Sequence, residues 1–305
     1  MNNRQVGLWL YQNSGGNVIQ SKLVNKLKER DIDTITGVDL GKAIVSNGNI
    51  SCDTKGNCAC NLNNQIDLLF SYNASESSPY QNYLYQALSK IMPLINNYES
   101  HILTEDKFQT SFLLKNSGIQ TADYELCYKD DIKHIASTVQ KWPQMVCKPT
   151  NGYGGAGLTK IDSKASLEMV NLVLNQINLK NIYMEKYIDY DNTDYRIDIV
   201  DGQFVACYGR RAKSGGWKTN IGSGGSVFLR EPTDEIVNLA LEATSATGLE
   251  IAGVDIIYDR EKESYIVLEI NGIPAFATPE QEKMGLNFNN KKIDLITDMI
   301  DRLTA

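Results

Sequence analysis

Three oxygen-bearing side chains, Asp255, Glu269 and Asn271, stand in the stretch AGVDIIYDREKESYIVLEINGIPA, Ala252 to Ala275. Read as two strands joined by a charged turn at Arg260 to Glu263, this stretch sets Asp255 opposite Glu269 if Asp259 pairs with Tyr265. Side chains on a strand alternate with a period of two, so Asp255 and Ile257 share one face, as do Val267, Glu269 and Asn271. Directly opposed residues have Cβ atoms about 5 Å apart, and like charges placed there repel, so the pair needs a cation. Hard carboxylate and amide oxygens beside open positions suit Mg²⁺ shared with phosphate oxygens better than a closed metal cage. A D…ExN pattern in isolation reads more simply as a solvated hairpin edge, but Val254, Ile256, Ile257, Ile266, Val267 and Leu268 make these strands too apolar for that.

A second group of residues suits phosphate. In PTNGYGGAG, Gly152, Gly154 and Gly157 satisfy G-x-G-x-x-G, yet a dinucleotide fold needs a helix next and LTKI reads as a strand. A glycine hairpin between two strands can instead fold over a nucleotide's phosphates, with unobstructed backbone N–H groups at Gly154 and Gly155. Lys148, ending the incoming strand, would add a point charge. A flexible hairpin with a surface lysine fits the same letters. Further on, RRAKSGGWKTNIGSGGS gathers Arg210, Arg211, Lys213 and Lys218 in a polar loop, which is either solvated or an anion site beside the carboxylates. Arg210 and Arg211 are neighbours on a strand, so only one can face the cleft.

The elements that must position these groups follow from periodicity. The first hundred residues alternate strand and helix: Val6 to Leu10, a helix carrying Ile19, Leu23, Val24 and Leu27, Thr34 to Val38, Ile66 to Ser71, and a helix from Tyr83 to Ile91. This order implies a small parallel sheet with helices against it. A helix from Thr104 to Gly118 follows, then strands near Tyr124 to Cys127, Met145 to Lys148, Leu158 to Ile161 and Ile182 to Tyr187, with helices at about 130–140 and at Leu167 to Ile177. The last third reads as a hairpin turning at Asp201-Gly202, a helix capped by Thr233 or Asp234 and ending at Gly248, the Asp255 hairpin, and an amphipathic helix from Ile293 to Leu303.

Composition narrows the function classes. The 305 residues carry a net charge of -7 with 42% hydrophobic and 22% charged residues, an ordinary globular balance that argues against a general nucleic-acid binder. No apolar run reaches membrane-span length and the start lacks signal-peptide order, so a cytoplasmic protein with no membrane partner is expected. Of six cysteines, Cys127, Cys147 and Cys207 sit in strand-like runs. Cys52, Cys58 and Cys60 crowd one polar segment without a fourth ligand at zinc spacing, which favours a surface loop or hairpin over a metal site.

Taken in order, these motifs resemble the ATP-grasp ligases, most closely the RimK-type branch that joins amino acids to carboxylates. The resemblance runs from about Val6 to Leu303 and rests on K-x3-G-x2-G-x-G at Lys148 to Gly157, MEKYI at Met184 to Ile188, DYR at Asp194 to Arg196, RRAKSGGWKTN at Arg210 to Asn220, and GVD…LEIN at Gly253 to Asn271. It implies an α/β protein, α+β in its ATP-grasp part, with three units: an N-terminal parallel-sheet domain over 1–103, a central lobe with the glycine-rich loop over 104–188, and a C-terminal lobe with the metal site over 189–305. It assigns Lys107 and Lys148 to phosphates, and Glu185, Lys186, Tyr187 and Ile188 to the adenine hinge. Asp194 falls to the ribose side, and Lys218, Thr219 and Asn220 to nucleotide contact. Asp255, Glu269 and Asn271 fall on the ligands of Mg²⁺ or Mn²⁺, and Arg211, rather than Arg210, with Lys213 on the catalytic side.

INGIPAF departs from the family, with Ala275 where a glycine is usual. The implied reaction activates a small-molecule or peptide carboxylate with ATP as an acylphosphate, which the amine of an amino acid, glutamate being the expected one, then attacks. Oligomeric state is left open. An ATP-grasp kinase would instead phosphorylate a hydroxyl, and a regulatory nucleotide binder would release no ADP.

Overall fold

The computed structural model describes residues 4–11, 14–54, 59–73, 78–152, 157–162 and 180–305. Gly154, Gly155, Cys58 and the helix expected at Leu167 to Ile177 lie outside the described residues.

The chain opens as expected. Strands β1 (Arg4–Leu10), β2 (Ile32–Thr36) and β6 (Leu68–Tyr72) form a parallel sheet in the order β2-β1-β6-β7, where β7 (Leu94–Ile95) is a two-residue edge strand that periodicity does not reveal. Helix α1 (Ser14–Lys28) lays Ile19, Leu23 and Leu27 on that sheet. The segment carrying Cys52 and Cys60 forms a small antiparallel sheet, β3 (Ile44–Ser46), β4 (Asn49–Asp53) and β5 (Ala59–Asn61), closed by the short helix α2 (Leu62–Gln65). Cys52 and Cys60 face each other across β4 and β5 and are buried among Val38, Leu40, Ile50 and Leu62, so they pack as small hydrophobes. Helix α3 (Pro79–Leu88) begins with a capping box, Ser78 with Gln81, four residues before the expected start, because the proline fits the first helical position.

The expected single helix from Thr104 is two. Asp106 leaves helical geometry (φ -105°, ψ 114°), ending α4 (Tyr98–Glu105), and its carboxylate caps α5 (Lys107–Asn116) by accepting from the Gln109 N–H at 2.9 Å. Lys107 thereby becomes the first residue of a helix, which fixes where it points. Strands β8 (Tyr124–Tyr128), β9 (Met145–Lys148), β10 (Thr159–Ile161) and β11 (Asn181–Lys186) form an antiparallel sheet in the order β10-β9-β11-β8, with helix α6 (Ile132–Lys141) against it.

A second antiparallel sheet, β14-β13-β12-β15-β16, comprises β12 (Thr193–Val200), β13 (Gln203–Arg211), β14 (Ser226–Phe228), β15 (Ile251–Asp259) and β16 (Ser264–Asn271). Helix α7 (Asp234–Thr247), capped by the Thr233 hydroxyl and stopped at Gly248 (φ 72°), buries Ile236, Ala240 and Ala243 on one face of it. A short helix α8 (Pro279–Lys283) and the long α9 (Asn289–Leu303) close the chain. Helix α9 packs on α1, so Ile293, Ile296, Met299 and Ile300 share a core with Val6, Leu8 and Phe70 of the first sheet. The core of the N-terminal unit is therefore completed by the last helix. No described helix is long and apolar enough to cross a membrane.

One buried ion pair ties α9 to the second sheet. The Lys292 ammonium donates to Asp198 Oδ2 at 2.8 Å and to the Pro274 carbonyl at 2.8 Å, with both charged side chains fully buried. The Tyr72 hydroxyl donates to the same carbonyl, and the Phe276 ring centre lies 4.8 Å from the ammonium. Asp198 Oδ1 is already buried without a partner among the described residues. Lys292→Met is therefore expected to cost about 3–5 kcal/mol of unfolding free energy, since it strands a buried carboxylate. Replacing Asp198 by Leu in the same protein should recover part of the loss, which urea denaturation of both variants checks.

Candidate functional site

The hairpin β15–β16 pairs Asp255 with Glu269 and Gly253 with Asn271, as the carboxylate argument required. The register behind that argument is corrected: Asp259 pairs with Ser264, not Tyr265, and a β-bulge past Asp255 absorbs the extra residue. The bulge also separates Val267 from Glu269. Val267 joins Val254 and Ile256 in the core under α7, while Leu268 and Glu269 both face the cleft. Gly253 is required here, because a Cβ would come within 2.7 Å of the Arg196 guanidinium and 2.6 Å of the Pro274 ring.

Asp255 is only 2% exposed and is gripped by two arginines. Arg196, opposite it on β12, approaches with Nε at 2.5 Å from Oδ1, and Arg210 on β13 lies 2.6 Å from Oδ2. Arg210 also binds Asp194 with two N–H groups, at 2.9 and 2.7 Å, and Thr219 donates to Asp194 at 2.5 Å. Burial alone would raise the Asp255 carboxyl, but Arg196 and Arg210 together hold it below the usual carboxylate range. Asp194 goes the other way: burial dominates and raises it despite Arg210. These five side chains form one buried network of alternating charge behind the hairpin.

This network bears on two of the expected roles. Asp194 is fully buried, with both oxygens held by Arg210 and one also by Thr219, and so supports Arg210. The arginine phase is also reversed. Arg210 faces the carboxylates, whereas Arg211 is exposed with its guanidinium 4.9 Å from the Phe228 ring centre. Lys213 is likewise exposed on the loop after β13 and forms no ion pair among the described residues. Arg196 was not singled out, although the spacing of Asp194 and Arg196 puts both on one strand face and carried that signal.

Two lysines reach the same region from the other side. Lys107 lies 2.9 Å from Glu269 Oε1 and donates to the Gly152 carbonyl at the mouth of the glycine-rich loop. Lys148 pairs with Glu185, which also accepts from the Tyr183 hydroxyl at 2.8 Å. Glu185 therefore holds a lysine with its side chain. Lys186 turns outward to Glu261 at 2.7 Å, and its backbone N–H donates to the Asp123 carbonyl at 2.8 Å.

Between the sheets β10-β9-β11-β8 and β14-β13-β12-β15-β16 lies a slot of ≈ 70 Å³ that brings together Lys148, Glu185, Lys186, Tyr187, Ile188, Lys218, Thr219 and Asn220. Val146, Ile188, Ile257 and Leu268 make its walls apolar, the form a flat heteroaromatic ring fits. A second cavity, of ≈ 160 Å³, opens on Lys107, Glu269 and Asn271 and extends to the N-terminal sheet.

Asp255, Glu269 and Asn271 fit a hard divalent cation by donor chemistry. All three bear oxygen, and the buried Asn271 amide nitrogen has no hydrogen-bond partner among the described residues. Exchanging the amide's nitrogen and oxygen, which are set by the surrounding network, would turn an acceptor to that position.

His101, in the second cavity, stacks edge-on against Tyr85 with ring centres 5.5 Å apart, and burial pushes it down to about 4. Below pH ~6.5 the unfolded chain takes up a proton there that the folded chain refuses, so stability falls as pH drops toward 4. The full loss is about 3 kcal/mol, and in denaturant titrations between neutral and acid pH, His101→Phe should lack this part of the slope.

Residues 104–296 match the RimK-like ATP-grasp domain. The tetrahydromethanopterin:alpha-L-glutamate ligase of Methanocaldococcus jannaschii is 28% identical over 217 residues, 70% of this chain and 73% of that one. A probable alpha-L-glutamate ligase of Haemophilus influenzae is 26% identical over 212 residues, 68% of this chain and 65% of that one, just under two thirds of its length. Among solved structures, the D-alanine–D-alanine ligase of Bacillus anthracis superposes with a TM-score of 0.67 at 17% identity, over 99% of this chain and 98% of that one. With the matched domain covering most of the sequence and the slot, lysines and hairpin lying within it, the chain belongs to the RimK-like ATP-grasp family.

Proposed function

We propose that this protein is an ADP-forming carboxylate–amine ligase that uses ATP and Mg²⁺ or Mn²⁺ to join a small-molecule or peptide carboxylate to the amine of an amino acid, glutamate first among them. One observation carries the reading: an apolar slot lined by Lys148 and Lys218 takes part of its wall, Ile257 and Leu268, from the hairpin that bears Asp255, Glu269 and Asn271. The α-L-glutamate named for both relatives supports the choice of amino acid. A cytoplasmic site of action goes with the use of ATP.

In this reading the adenine lies against Val146, Ile188 and Leu268 and meets the backbone of Lys186 to Ile188. Lys148, held by Glu185, and Lys107, held by Glu269, receive phosphate oxygens, each at the end of a fixed element, so little reorganisation is needed. Asp255, Glu269 and Asn271 would hold the cation, which when bound would neutralise charge on the phosphates. Arg196 and Arg210 keep Asp255 ionised and immobile.

The substrate carboxylate attacks the γ-phosphorus, the bond to ADP breaks, and an acylphosphate forms. The amine nitrogen then attacks the acyl carbon, phosphate departs, and the nitrogen loses a proton. No protein nucleophile is required. Mass spectrometry of reactions holding ATP, Mg²⁺, a carboxylate panel and L-amino acids should find an amide with ADP and phosphate in equal amount. A phosphorylated hydroxyl compound without amide would make the protein a kinase instead.

A further inference from the structure

The ≈ 160 Å³ cavity beside Glu269 and Asn271 has a far wall that no role above uses. Trp9, Ser71 and Asn73 stand at the C-terminal ends of β1 and β6, the edge at which parallel sheets receive ligands. Gln81 and Asn82 come from α3, and His101 and Glu105 from α4. Apart from Glu105, this wall is lined by amides, a hydroxyl, aromatic rings and an imidazole kept neutral by burial.

Glu105 sits where a carboxylate is disfavoured on two counts: it is largely buried, and as the last residue of α4 it lies at the negative end of a helix. Lys107 is already engaged by Glu269 and by the Gly152 carbonyl. The Glu105 carboxylate makes no hydrogen bond or salt bridge among the described residues. A carboxylate held in a cavity under these conditions is matched by a ligand that brings positive charge and N–H donors, as an ammonium group does.

We propose that this cavity is the binding site of the amine substrate, with Glu105 the counter-ion of its ammonium group and Ser71, Asn73 and Gln81 receiving its polar remainder. The assignment rests on the ligase reading and deepens it. An ammonium at Glu105 stands next to the hairpin at which the carboxylate would be activated. Glu105 is then a specificity residue: it selects for an amine that arrives as ammonium and gives up one proton to solvent before its nitrogen attacks, and it leaves formation of the acylphosphate to other groups.

Hydroxylamine separates the two steps, because it is uncharged near neutral pH and captures an acylphosphate as a hydroxamate without an ammonium site. With ATP, Mg²⁺ and the same carboxylate panel, wild type and Glu105→Gln are compared using hydroxylamine or L-glutamate as nucleophile. The expected result is a KM for L-glutamate raised about tenfold and a ratio of hydroxamate to amide raised by a similar factor. Glu105→Gln should unfold no earlier than wild type, since it removes a disfavoured charge. An unchanged ratio overturns the proposal, as does a wild type that forms hydroxamate but no amide with any amino acid. If wild type yields no hydroxamate with any carboxylate, the ligase reading itself fails and takes this site with it.

Discussion

Asp255→Asn is expected to lower turnover by roughly a hundredfold or more, about 2.7 kcal/mol of transition-state stabilisation, and to lower the unfolding free energy by about 3–5 kcal/mol. The second effect follows from the geometry. Arg196 and Arg210 are both buried and both point at Asp255, and an amide can accept from one guanidinium but turns N–H groups toward the other. Read as a bare ligand on a hairpin, Asp255 would leave the fold untouched on substitution; as the hub of a buried network it cannot. The two losses separate by assay well below the variant's unfolding midpoint, where circular dichroism still reports native structure. Full turnover there, at limiting Mg²⁺, would remove Asp255 from the metal site.

Arg210→Lys is expected to cost at least about tenfold in kcat/KM, whereas Arg211→Lys should stay within about threefold of wild type. One terminal nitrogen of Arg210 bridges Asp194 at 2.7 Å and Asp255 at 2.6 Å while Nε holds the other Asp194 oxygen at 2.9 Å. A lysine ammonium is a single point and cannot reproduce that planar fork, so one of the two aspartates loses its partner. Arg211 rests on the Phe228 ring in solvent, a contact that a lysine largely keeps. Steady-state kinetics and thermal unfolding of both variants decide the matter, and a larger loss for Arg211→Lys would place the working arginine on the other face.

Much of this was legible from local chemistry. Alternation and capping located β1, β6, β12, β13, α7 and the β15–β16 hairpin, because each element satisfies its own backbone and buries one face by a period that shows in the letters. Pairing of Asp255 with Glu269 was legible for the same reason. The small sheet β3-β4-β5 was legible only as a surface loop or hairpin, since its strands are three to five residues long and their cysteines read as a polar segment until packing makes them core.

The chain by itself thus determined which residue types lie near each other along each element: a lysine just before a run of glycines, three oxygen-bearing side chains on one hairpin, two adjacent arginines. Only the tertiary structure decided their phase and their partners. A bulge of one residue moved Val267 to the core and Leu268 to the cleft, a strand phase turned Arg210 rather than Arg211 toward Asp255, and burial set Asp194 against Arg210. Each of these depends on a one-residue register, which in a sheet reverses the face of a side chain, and register is set by long-range packing that no local pattern encodes.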